Sequence, residues 1–312
     1  MQNNQYKKPF PWHILVFLSP ALLIYAAVMV YPLIETLRLS FFTSQGTNTI
    51  FVGLKNYSEL FFNSFFSDQF WNALKNNIIF FIIHMLVQNP IGIILAALLS
   101  MPNLRGATFY RTAIFIPTML SVVIIGFAWK LILSNNWGVI KEMMTMLGLK
   151  EFYSAKFLGS LFDEQKGLYT LSLISVWQYV GIPMMLIYAA LISIPDEILE
   201  AADCDGIVGV NQFFKIKLPL IFPTLGIVSI LTFVGNFNAF DLIYSVKGAL
   251  AGNNYSADIL GTFMYRTFYG MQNQPGDIHL GAAVATIMFL IILCGVGVYL
   301  FFVQRKLQRY QF

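Results

Sequence analysis

Charge is scarce in this chain, and so are the residues that do chemistry. Lysine, arginine, aspartate and glutamate make up 11% of its 312 residues, where a soluble domain carries about 25%. Histidine occurs at three positions, 13, 84 and 279, none of them in the HExxH spacing of a zinc helix. There is no GxSxG elbow, no Cys–His pair on one side of a membrane and no Walker-type glycine-lysine loop. These absences exclude ATP hydrolysis by this chain alone and leave nothing to support another catalytic activity. The two cysteines, Cys204 and Cys294, fall in a polar insert and in an apolar run, so no disulfide framework exists.

What is abundant is apolar length. Hydrophobic residues are 57% of the chain and the mean hydropathy is +0.68. A helix crossing the hydrocarbon core needs about 20 such residues, because every backbone group must be paired within the segment. Six stretches qualify: Ile14–Ile34, Ile78–Leu99, Ala113–Leu133, Leu168–Ile192, Leu218–Phe240 and Leu280–Val303. The expected fold class is all-α, a polytopic membrane protein with six transmembrane helices in a single domain over residues 1–312. Lys130 sits one turn from the end of the third stretch and must snorkel. No carboxylate lies at the centre of a span; Glu35 and Asp241 both sit at outer ends.

Six crossings return the chain to its starting side, and the basic residues choose that side. Lys7, Lys8, Arg105, Arg111, Lys215, Lys217, Arg305, Lys306 and Arg309 fall on one face, which the positive-inside rule makes cytoplasmic. Asp196, Glu197, Glu200, Asp203 and Asp205 are the acids there, and the opposite face is balanced. The net charge of +4 therefore reads as membrane sidedness, not as a nucleic-acid footprint. Both termini are expected in the cytoplasm, with 135–167 and 246–279 outside. Lys7-Lys8 precedes a run too long for a signal peptide, so that run reads as an uncleaved span.

One polar insert, residues 194–219, interrupts the apolar pattern on the inner face. Pro195 suits the first turn of a helix, where its missing N–H costs nothing, and Asp196 and Glu197 complement the helix N-terminus. Gly206 is the natural stop, since glycine takes the left-handed conformation freely. A second helical stretch is expected from about Gly209, carrying Phe213, Phe214 and Ile216 to one side, with Ile198, Ala201 and Ala202 forming a small apolar face on the first.

The spacing within this insert resembles a known family. Glu200-Ala201-Ala202, three residues, Gly206, nine residues, Ile216, one residue, Leu218-Pro219 is similar to the EAA loop of permease subunits in binding-protein-dependent ABC importers. Ile207 departs from it, since the family has a small alanine after Asp-Gly. The segments Phe51–Tyr57 and Arg105–Thr112 leading to Pro117 also resemble sugar-importer permeases. The resemblance implies a type I importer fold and a coupling role for Glu200, Ala201, Ala202, Asp205, Gly206, Phe213, Ile216, Leu218 and Pro219.

Two spans carry features that suit a solute path. In the fourth, Trp177-Gln178-Tyr179 precedes Gly181-Ile182-Pro183, which suggests either a helix opened beside a cavity or a packing kink. In the fifth, Phe233, Phe237, Phe240 and Tyr244 are spaced four, three and four, so they form one helical stripe with Asn236 beside it. An aromatic stripe is by itself as suited to helix packing; amides at bilayer depth need partners or a wet path. Asn236-Phe237-Asn238 resembles the fifth-span segment of the larger, MalF-like permease of maltose-type importers. That resemblance implies sugar contact by Asn236, with Gly235 and Ala239 beside it; the maltose-type protein has asparagine at Ala239, so specificity should differ. His84, alone in the second span, is expected to be a hydrogen-bonded packing residue. Phe65, Phe66, Phe70, Trp71 and Leu74 suggest either a helix lying in the membrane interface or a contact surface. The length of 135–167 suggests an extracytoplasmic surface.

The expectation is thus a sugar or oligosaccharide ABC importer permease in a bacterial cell membrane. The resemblance implies a second permease subunit, two ATP-binding subunits that hold ATP and Mg, an extracytoplasmic solute-binding protein and no cofactor on this chain. An ion-coupled secondary transporter is the rival from another class, and an importer of a non-sugar solute such as a glycerol phosphodiester the rival within it. Centrally placed carboxylates would favour the former.

Overall fold

The computed structural model describes residues 12–46, 48–102, 104–132, 142, 145–148, 166–271 and 274–304. Its first apolar run is a rod made of α1 (Trp12–Tyr25), a π turn (Ala26–Val30) and α2 (Tyr31–Leu39). A π turn just ahead of a proline recurs twice among the described residues. A π turn at His84–Gln88 joins α4 (Ser64–Ile83) to α5 (Asn89–Leu99), and another at Phe213–Lys217 precedes Leu218–Leu220. Each of these wide turns ends two residues before a proline, Pro32, Pro90 or Pro219. Proline lacks an N–H and its ring crowds the preceding turn, and the wider turn accommodates both while the chain stays helical.

Between the first and second runs the chain is not purely helical. Two strands, β1 (Phe42–Gln45) and β2 (Asn48–Phe51), form an antiparallel hairpin with Phe42 opposite Phe51. Asn56 pins it, its Nδ2 donating to the carbonyls of Ser40 and Phe42 at 2.8 Å each. Helix α3 (Lys55–Phe62) then leads into α4. Phe65, Phe66, Phe70, Trp71 and Leu74 do not form a separate interfacial helix; they are the opening turns of one 36-residue helix, Ser64–Leu99. The reason is packing: Phe70 is buried with Leu60, Phe237, Phe263 and Leu280 in one core.

The third apolar run, expected to span over 113–133, is not one continuous helix. It is two helices, α6 (Ala107–Met119) and α7 (Val122–Ile132), bent by 94°. Pro117 weakens the end of α6 and Leu120 is extended at ψ 146°. Each half packs on a different partner, α6 against α9 (Gly181–Ile192) and α7 against α13 (Asp241–Lys247). The fourth run bends by 41° between α8 (Gly167–Tyr179) and α9. The fifth is shifted from the expected 218–240: α12 (Phe222–Phe237) starts after Pro219, and α13 follows a break at Asn238–Phe240.

Beyond α13 the chain forms a cap with α14 (Leu260–Tyr269) and a second hairpin, β3 (Gly270–Met271) with β4 (Gln274–Pro275). The last apolar run is α15 (Ile278–Val298), whose N-cap Asp277 accepts from the N–H groups of His279 and Leu280. Among the described residues, four helices are long and apolar enough to cross a membrane, and up to six segments are if each bent pair is one span. Most of segment 135–167 lies outside the described residues.

Candidate functional site

A cavity of about 430 Å³ lies where the second, fourth and fifth apolar segments meet. Its walls come from two of the places where proline interrupts a helix, the π turn before Pro90 and the bend before Pro183, and from the break at Asn238–Phe240. Pro183 has no N–H to offer the carbonyl of Tyr179, and Gln88 supplies the missing bond, its Nε2 donating to that oxygen at 3.3 Å. His84 donates from Nδ1 to the Phe80 carbonyl at 2.8 Å, so in the neutral ring Nε2 accepts from the Ser175 hydroxyl at 3.0 Å. This histidine is a hydrogen-bonded wall residue, in line with the expectation from sequence.

Of the residues that sequence put on the solute path, Gly235, Asn236, Ala239 and Phe240 line the cavity and Trp177, Gln178, Gly181, Phe233 and Tyr244 do not. Asn236 is buried; its Nδ2 donates to Thr232 at 2.7 Å and its Oδ1 has no partner. The aromatic stripe is not one stripe, because the break at Asn238–Phe240 rotates its second half. Phe233 and Phe237 pack 4.7 Å apart against Phe81, whereas Phe240 stacks on Tyr244 at 4.9 Å and both meet Tyr265. Trp177 is turned against Trp129. Gln178 is fully buried and donates to the Leu120 carbonyl at 3.4 Å, tying off the bend of the third segment. Gly181 is a packing site, where a Cβ would lie 3.0 Å from the carbonyl oxygen of Ile114.

His84, Gln88, Ser175 and Tyr179 belong to the wall without having been singled out as path residues. One signal for them is present in the sequence: His84 and Gln88 are four apart, hence on one helical face, just before Asn89-Pro90 in an otherwise apolar run.

The polar insert folds as two short helices, as its sequence suggests. Helix α10 spans Asp196–Cys204 with Pro195 as its N-cap rather than inside the first turn. Gly206 has φ +73°, and the N–H groups of Ile207 and Gly206 bond the carbonyls of Ala202 and Asp203 at 2.8 and 3.0 Å. That paired closure satisfies the last carbonyls of the helix, and the left-handed residue it requires is the glycine. Helix α11 (Gly209–Gln212) continues into the π turn, and Gln212 ties it to α10 by donating to Asp203 Oδ1 at 2.7 Å. Glu200, Ala201, Asp205 and Gly206 are exposed, while Phe213, Ile216, Leu218 and Pro219 are half-buried. Ala202 is not on the exposed face: it is 5% accessible and turned into the packing, three residues after Leu199, which packs on the core beneath α10. The outer apolar face is instead Ile198, Val208, Val210 and Phe214.

Residues 88–308, from the cavity's Gln88 through the insert to the last helix, match the family described as binding-protein-dependent transport system inner membrane component. The chain belongs to that family. It is therefore a transport component of an inner membrane. The permease is 31% identical over 281 residues to the probable ABC transporter permease protein YurN of Bacillus subtilis, covering 89% of this chain and 91% of that one. It is 28% identical over 291 residues to the arabinooligosaccharides transport system permease protein AraP of Halalkalibacterium halodurans, covering 93% and 85%. The lactose transport system permease protein LacF of Rhizobium radiobacter is 28% identical over 279 residues, covering 89% and 88%. In fold, the permease is similar to a chain of a bacterial ABC transporter that imports alginate, with a TM-score of 0.75 at 21% identity over 94% and 96% of the two chains.

Proposed function

We propose that this permease forms half of the translocation path of an ABC importer for a sugar or oligosaccharide. The observation that carries the reading is the cavity wall. The buried side-chain oxygen of Asn236, which has no partner, stands four residues along the chain from Phe240, on the wall of one cavity. Sugars offer hydroxyls to such amides and C–H faces to such rings. Relatives named for arabinooligosaccharide and lactose transport support the substrate class.

A second permease of related fold supplies the other half of the path. An extracytoplasmic solute-binding protein delivers the sugar, in keeping with the family's description. Two ATP-binding subunits drive the importer, and one of them docks on the insert over 194–219, through the exposed Glu200, Ala201 and Asp205 and the apolar Ile198, Val208, Val210 and Phe214. ATP and Mg reside on those subunits, and this chain holds no cofactor. Both termini and the insert face the cytoplasm. Because Gln212 and the closure at Gly206 make the insert compact, a force on its outer face reaches Phe213 and Leu218, which pack against Ile187, Leu191 and Ile221 beneath.

The test is Asn236→Ala in the assembled importer, with uptake, subunit assembly and ATP hydrolysis measured together. Uptake at subsaturating sugar should fall about tenfold, the loss expected when a polar contact to the ligand goes, while assembly and hydrolysis persist. Unchanged uptake would remove Asn236 from the path.

A further inference from the structure

The cavity has two polar oxygens with nothing to bind, and their orientation is not arbitrary. Gln88 Oε1 and Asn236 Oδ1 are both buried without a partner, and both residues are more than nine-tenths buried on the cavity wall. In each, the amide nitrogen donates to a backbone carbonyl, Tyr179 for Gln88 and Thr232 for Asn236. A carbonyl can only accept, so neither amide can be turned round, and both side chains must present an oxygen as the free end. A buried acceptor left empty costs about 1–3 kcal/mol. Two of them on one cavity are a standing demand for donors.

The charge of the wall narrows which donors fit. Among the described residues that line the cavity there is no lysine or arginine, and the one carboxylate is Asp241, exposed at the rim. An anionic solute would meet two acceptors and a like charge with no cation to offset them, and desolvating it would be unfavourable. A hydroxyl brings a hydrogen to each acceptor without that cost.

We infer that Gln88 and Asn236 form a paired acceptor site that selects neutral, hydroxyl-rich solutes and rejects acidic sugars and phosphodiesters. Gln88 is the specificity-determining member, since Asn236 belongs to the path already proposed. The inference rests on that reading and narrows its substrate class. Pro183 is part of the device, because the carbonyl it frees is what holds the Gln88 nitrogen and leaves the oxygen to the ligand.

The experiment uses the assembled importer without its binding protein, so that the cavity and not the binding protein is read. Ligand-induced thermal stabilisation is measured with lactose, maltotriose and arabinotriose, and with trigalacturonate, a trisaccharide with a carboxylate on each ring. Uptake of the neutral sugars into proteoliposomes with the binding protein is measured alongside. At least one neutral sugar should stabilise the complex and trigalacturonate should not. Gln88→Met, which keeps length and loses the acceptor, should raise the concentration of that sugar needed about tenfold. The second variant, Gln88→Met with Pro183→Ala, returns an N–H to the Tyr179 carbonyl and so repairs the helix without returning the acceptor; it should stay as weak as Gln88→Met. Stabilisation by trigalacturonate equal to that by a neutral sugar would overturn the inference. So would recovery of wild-type binding in the double variant, which would reduce Gln88 to a helix tie. If neutral sugars are taken up normally and Gln88→Met changes nothing, this inference falls alone. If no saccharide of either class binds or is taken up, the sugar reading falls with it.

Discussion

Arg266 is the residue whose environment is least like what its side chain prefers. It is 1% accessible, in the cap formed after α13, and its Nη2 donates to Asp258 Oδ2 at 2.7 Å and to Gln69 Oε1 at 3.0 Å. Its Nη1 donates to the Ala249 carbonyl, and the guanidinium lies 4.3 Å from the Tyr255 ring centre. Burial pushes the Asp258 carboxyl above its usual range, while Arg266 and the Thr262 hydroxyl pull it down. Removing Arg266 leaves burial opposed by the Thr262 hydroxyl alone, so the stranded carboxyl takes a proton or draws in water. Arg266→Leu should therefore destabilise the permease by about 3–5 kcal/mol, read as a lower thermal midpoint of the assembled importer. Arg266→Leu with Asp258→Leu should recover part of that loss, since it removes the unpaired charge. An unchanged midpoint in the single variant would show that Arg266 does not hold the cap together or tie it to Gln69 of α4.

At the scale of elements, the insert shows how one backbone angle sets a boundary. A Cβ on Gly206 would meet nothing within 4 Å, so substitution there is limited by the left-handed φ alone. The strain is about 1 kcal/mol for an ordinary side chain, too small to unfold a membrane protein. Gly206→Asp should thus leave the permease inserted and abundant. It also adds a charge to an insert that exposes Ile198, Val208 and Val210, and transport should be lost, either by release of the ATPase or by uncoupling. Gly206→Asn, which tolerates this φ, should keep the turn and retain more transport. Membrane abundance, co-purifying ATPase and sugar uptake are to be measured in one preparation; normal uptake with full assembly in Gly206→Asp would show that this turn does not couple the subunits.

For the whole molecule, the distribution of basic residues makes a topological prediction. In a permease with Cys204→Ser and Cys294→Ser, a cysteine at Gln304 should be closed to an impermeant reagent in intact cells, and one at Asn136 should be open to it. Labelling of Gln304→Cys from outside would invert the orientation and move the insert to the wrong side for an ATPase. The first rod, Val16–Leu39, has no residue buried by the rest of the chain over its most apolar stretch.

The sequence by itself determined the membrane class, the helical character, and the position and internal closure of the insert. Those follow from local rules: run length, charge at run ends, and the backbone freedom of one glycine in Asp205-Gly206. It also held the bend at Gly181-Ile182-Pro183 and the amide Asn236, because proline and a polar group in an apolar run are conspicuous. Only the tertiary structure decided which side chains share the cavity. The break at Asn238–Phe240 splits the aromatic stripe that spacing assembled, and packing of α7 on α13 turns the third run by 94°. Gln88 acquires its meaning from a carbonyl freed 91 residues away by Pro183. Periodicity records which residues share a face of one helix; it carries no information on which faces of different helices meet, and a solute site is made of those meetings.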